Sequence, residues 1–100
     1  MTEQDEVRIL YNESDNITYF VHHRKDGQEF VSIDKEEIEK AIQIENSIIV
    51  VIVPNDIHDP NKGVNFYGLS AVKWLQHSEV RNGKCTVPLK ILRNLEGFNI

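Results

Sequence analysis

Residues 48–53 read Ile-Ile-Val-Val-Ile-Val, an unbroken β-branched run closed by Pro54. Side chains branched at Cβ crowd the turns of a helix and fit the pleated surface of a strand. A strand with one wet face alternates apolar and polar residues, so a run with no polar position predicts burial on both faces. The segment is therefore expected in the middle of a sheet, with material packed on each side. It is also far too short to cross a bilayer, which takes about 20 apolar residues.

The rest of the chain must supply the neighbouring strands and the two covers. Residues 7–11 alternate well enough for a short strand, and the polar stretch 12–16 supplies a turn. Residues 17–24 and 28–33 are rich in β-branched and aromatic side chains and flank Asp26-Gly27. That dipeptide tolerates the positive φ angles of a type I′ turn, which predicts a hairpin with Arg24 opposite Glu29 and His22 opposite Val31. A helix start follows: Asp34 as cap, Glu37 three residues on as the other half of a capping box, and Ile33 with Ile38 as a hydrophobic staple. Its apolar face is Ile38, Ala41 and Ile42, its outer face Glu36, Glu39 and Lys40, and it is expected to end near Asn46-Ser47.

Beyond Pro54 a loop rich in Asn, Asp, Pro and Lys runs to Gly63. From about Leu69 the period turns helical, with Leu69, Ala71, Val72 and Leu75 on one arc, Ser70, Lys73 and His77 facing away, and Trp74 at the edge. Asn82-Gly83 ends that helix or makes a tight turn after it. Thr86 and Pro88 then look like a third helix start, with Val87, Leu89, Ile91, Leu92 and Leu95 as its apolar arc and Gly97 as its stop. The expectation is one α+β domain spanning residues 1–100, in the order β-β-β-α-β-α-α. About four strands form a mainly antiparallel sheet, packed with about three helices.

Charge is distributed unevenly. Residues 1–53 hold twelve acids and five bases, residues 54–68 two acids and one base, and residues 69–100 five bases and two acids, for a net charge of -5. Such asymmetry steers association rather than folding. The polar, acidic opening lacks the basic start and apolar stretch of a secretory leader, and the single Cys85 cannot staple itself, so a cytoplasmic setting is expected. On the same reading Asn12-Glu13-Ser14 and Asn16-Ile17-Thr18 match glycosylation sequons without serving as such.

Catalytic signatures are missing: no P-loop, no Gly-rich dinucleotide turn, no paired CxxC, no His-Glu-x-x-His. Gly68-Leu69-Ser70 lacks the second glycine of a nucleophile elbow, which leaves Ser70 as a helix-end serine. His22 and His23 are neighbours in a predicted strand and point to opposite faces, so they cannot share a metal. Asp56, His58 and Asp59, just past the apolar run, could hold a divalent metal or share a proton, yet their spacing fits no ligand template and suits a turn equally well. Cys85 reads as a small apolar residue. No metal and no cofactor is expected.

Elimination favours a small, non-catalytic, protein-binding module, a stoichiometric inhibitor or adaptor of the immunity-protein or phage-accessory kind. Its contact would be an acidic face of Asp34, Glu36, Glu37 and Glu39 set against a basic partner surface. The alternative face is basic, made by Arg81, Lys84, Lys90 and Arg93 on two C-terminal helices that superficially resemble a helix-turn-helix and would bind nucleic acid. A second alternative is a metal-dependent protein centred on the Asp56, His58 and Asp59 loop. A homodimer is also open, through Trp74 at an exposed helix edge or through strand 7–11 at a sheet edge. No membrane association is expected.

Overall fold

The β-branched run lies in the central strand of a five-stranded sheet. The computed structural model describes residues 7–23, 29–56 and 58–98. Among them are eight strands and two α-helices: β1 (Val7–Asn12), β2 (Ile17–His23), β3 (Phe30–Asp34), α1 (Lys35–Ile42), β4 (Ser47–Pro54), β5 (Val64–Ser70), α2 (Ala71–His77), β6 (Glu79–Arg81), β7 (Lys84–Pro88) and β8 (Arg93–Asn94). The large sheet has the order β1-β2-β4-β5-β8, and a separate three-stranded sheet has the order β3-β7-β6. Among the described strands only the β2–β4 pairing is parallel. No helix among the described residues is long and apolar enough to cross a membrane.

The class is α+β, but the architecture differs from the single, mainly antiparallel sheet of about four strands with three helices. The hairpin expected between residues 17–24 and 28–33 does not form. Val21 pairs with Arg8 on one side and Val50 on the other, while Val31 pairs with Val87 in the other sheet. His22 accordingly lies opposite Val7 and Val51, not Val31. The Asp26-Gly27 turn and the Arg24 position fall outside the described residues. A strand buried on both faces satisfies its backbone best inside a ladder, and β1 and β4 flank β2 where β3 would have sat.

β4 is covered as its sequence demands. On one face Phe20, Ile49 and Val51 meet Ile38 and Ala41 of α1, Ala71 and Trp74 of α2, and Val31, Ile33, Cys85 and Val87 of the small sheet. On the other face Val21, Val50 and Ile52 pack with Leu10, Tyr19, Ile48, Phe66, Leu95 and Phe98. The chain after β8 thus acts as the second cover. The Leu95 amide donates to the Phe66 carbonyl at 2.8 Å, and the Phe98 ring lies 4.9 Å from Tyr19 and 5.2 Å from Phe66, centroid to centroid. Gly68 makes the approach possible, since a Cβ there would stand 2.8 Å from Leu95 Cδ1 and 3.3 Å from the Ile49 carbonyl.

Both helices are shorter than their patterns suggest. α1 stops at Ile42 rather than near Asn46-Ser47, because Asn46 turns the chain with φ 58° and the Ser47 hydroxyl donates to the Ala41 carbonyl at 2.6 Å. Ile33 and Ile38 share the core as the staple required, but the Asp34 side chain makes no cap hydrogen bond, and the Lys35 amide donates to the Gly83 carbonyl. In α2, Leu69 and Ser70 still belong to β5, and the Ser70 hydroxyl caps the helix by accepting from the Lys73 amide at 3.2 Å. This start rotates the buried face. Trp74 is wholly buried, with its indole N–H donating to the Cys85 carbonyl at 3.2 Å, and Val72 is exposed.

The third helix is absent. Residues 84–88 instead alternate Cys85 and Val87 inward against β3, a 3₁₀ turn covers Leu89–Ile91, and β8 pairs with β5. Asn82 and Gly83, with φ 52° and 75°, form the two-residue turn of the β6–β7 hairpin, the positive-φ geometry that matches strand twist.

Candidate functional site

The acidic residues do not form one uninterrupted face. Glu36 and Glu39 are exposed on α1, but Lys40 stands 3.7 Å from Glu37 on the same helix. Asp34 ends β3, where it is the cross-strand partner of Lys84, 3.8 Å away. Lys84 in turn faces Arg81 across the hairpin. Asp34, Lys84 and Arg81 therefore make one mixed row on the outer face of the small sheet, with Glu79 ion-paired to Arg81. The acidic and basic halves of the sequence are interleaved there in space. Exposed pairs of this kind contribute little stability, but they reduce the field that either sign projects.

The basic set is dispersed for the same reason that the third helix is missing. Arg81 and Lys84 sit on the small sheet, Lys90 in the 3₁₀ turn and Arg93 on β8 at the far edge of the large sheet. A recognition helix carrying Lys90 and Arg93 does not exist, and α2 runs into a β-hairpin instead of a second helix. Lys90 does border an open pocket of about 650 Å³ together with Glu29, Phe30, Tyr67, Pro88, Leu89 and Leu92.

The loop candidates fold on themselves. An Asp56 carboxylate oxygen accepts from the His58 amide at 2.9 Å, and its other oxygen lies 3.6 Å from Lys62 Nζ. Asp59 accepts from the Asn61 amide at 3.0 Å, capping the short 3₁₀ turn Pro60–Lys62. Both carboxylates are thus engaged in local turns, and the exposed His58 is brought beside Asp56 through its backbone. Among the described residues no three His, Cys, Asp or Glu side chains converge in a metal-binding group. Cys85 is fully buried in the core, and His22 is buried on the helix side of the large sheet. Ser70 has its structural role as a cap.

A surface that the charge pattern does not reveal lies on β1. Among the described residues no strand pairs with its outer edge. Ile9 and Tyr11 are each 61% exposed, the most open of the large hydrophobic residues among those described. Ile9 lies opposite Phe20 and Tyr11 opposite Thr18. Directly opposed residues share a face, so both project on the side of the sheet that carries α1 and α2. The Tyr11 hydroxyl donates to Asn16 Oδ1 at 2.9 Å, which holds the ring along the β1–β2 turn. On the reverse face the end of β1 borders an open groove of about 700 Å³, with Leu10, Tyr19, Ile48, Leu95 and Phe98 as apolar lining and Glu13 and Glu96 as its acidic members. The sequence signal was available: residues 7–12 contain a single charge, Arg8, although acids crowd the chain on both sides.

No protein-family model matches the chain, and comparison with curated proteins and with solved structures likewise yields no significant match.

Proposed function

We propose that this protein is a small non-catalytic protein-binding module, a stoichiometric inhibitor or adaptor working in the cytoplasm against a partner with a basic surface. The observation that supports the reading is the open edge of β1. Edge strands normally carry charges, prolines or a cover that block pairing with another chain, because their unpaired backbone groups are a ready template. Here the edge carries one charge, Arg8, and presents two large apolar side chains side by side, Ile9 and Tyr11. Glu36 and Glu39 lie on the same side of the large sheet and add negative potential to the approach.

Affinity capture from the native host under nuclease treatment tests the proposal. The wild type is expected to retain a protein at one-to-one stoichiometry, and the surface variant Ile9→Lys/Tyr11→Lys, with an unchanged circular dichroism spectrum, to lose it. Reversal of Glu36, Glu37 and Glu39 to Lys is expected to slow association. Retention of nucleic acid alone, or of no macromolecule, would overturn the reading.

A further inference from the structure

We infer that β1 takes on an additional strand from its partner, and that this strand alternates apolar with Lys or Arg side chains. The inference rests on the protein-binding reading above and specifies the occupant. Three observations carry it. The first is the backbone: six residues of β1 offer an outer row of about six hydrogen-bonding groups, since alternate residues of a strand point their N–H and C=O to each side. Pairing with such an edge draws affinity from the main chain and specificity from alternate side chains.

The second observation is the difference between the two faces that flank this edge. Toward the helices the added strand would lie beside Ile9 and Tyr11, which apolar or β-branched residues would cover. Toward the reverse face it would lie beside Arg8 at one end and, at the Asn12 end, beside the groove lined by Leu10, Tyr19 and Phe98 with Glu13 and Glu96 among its members, so a basic side chain belongs opposite the groove and not opposite Arg8. A long basic side chain suits that groove, because its methylene stem packs on the apolar lining while its head reaches a carboxylate. Since side chains of a strand alternate between faces, these two demands select an apolar-basic alternation.

The third observation excludes a second copy as the preferred occupant. Its own β1, Val-Arg-Ile-Leu-Tyr-Asn, carries one basic residue, Arg8, and so lacks the apolar-basic alternation that the two faces select.

The probe is a synthetic eight-residue peptide alternating Val with Lys. Two relatives serve as controls, one with Glu in place of Lys and one N-methylated at alternate residues to remove its pairing edge. Fluorescence anisotropy is expected to show the Lys peptide binding at least tenfold more tightly than either control, with slowed amide exchange over Val7–Asn12. Glu13→Lys/Glu96→Lys, at exposed positions away from the core, is expected to lose about tenfold for the Lys peptide. Equal binding of the Lys and Glu peptides, or no binding, would overturn the inference. So would protection confined to α1 or the small sheet, in which case protein binding itself would stand and only the strand-addition site would fall. A dimer of the unliganded chain that Ile9→Lys dissolves would assign the edge to a second copy and equally overturn it.

Discussion

Replacing Trp74 measures how α2 is locked to the small sheet. The side chain is the chain's single tryptophan, has no solvent exposure, and joins α2 to β7 through the 3.2 Å hydrogen bond from its indole to the Cys85 carbonyl. Trp74→Ala empties a site bordered by both helices, the large sheet and the small sheet, at a cost of about 3–5 kcal/mol for the lost packing. Loss of the hydrogen bond adds about 1 kcal/mol. Against the roughly 5–15 kcal/mol that stabilises a domain of this size, the variant is expected to be marginal or unfolded. Trp74→Phe keeps an aromatic ring and loses the donor, so a decrease of about 1–2 kcal/mol is expected. At about 4–8 °C per kcal/mol, that lowers the melting temperature by roughly 5–15 °C. Urea unfolding followed by far-ultraviolet circular dichroism reads both variants, and the native emission of Trp74 supplies an independent check. A change below about 0.3 kcal/mol for Trp74→Phe, or a native emission maximum equal to that of the urea-unfolded chain, would refute the placement.

Three further outcomes follow from particular contacts. Gly68→Ala is expected to cost about 1–3 kcal/mol because its Cβ would crowd Leu95 and the β4 backbone. Pairing it with Leu95→Ala is expected to be sub-additive in a double-mutant cycle, whereas strict additivity would mean that Leu95 does not cover Gly68. Gly83→Ala meets no atom within 4 Å, so its expected loss of about 1 kcal/mol is conformational, arising from φ 75° alone; a neutral result would contradict the positive-φ turn. Cys85 is expected to resist thiol reagents until the protein unfolds, with rapid labelling of the native state as the contrary result.

The parts of the fold that were legible in the sequence are those decided locally. The unbroken run at 48–53 identified the doubly buried strand, and Asn82-Gly83 the tight turn. The division into two sheets was not legible, because the adjacency of β2 and β3 and the turn residues between them favour a hairpin that long-range pairing with β4 and β7 displaces. Residues 87–95 fit a helical arc, yet Cys85 and Val87 also fit a strand alternation, and only the presence of β3 decides between them. α2 has seven residues, too few for periodicity to separate Trp74 from Val72 as the inward side chain. At the candidate surface, the charge pattern points to α1, while the exposure of Ile9 and Tyr11 depends on β1 having an outer edge that no described strand covers.

The most direct test of β1 as the functional surface is backbone amide hydrogen exchange on the protein alone and with its purified host partner bound. Slowed exchange over Val7–Asn12 is expected, and its loss in the Ile9→Lys/Tyr11→Lys variant. Unchanged exchange across β1, with protection appearing elsewhere on the molecule, would contradict it.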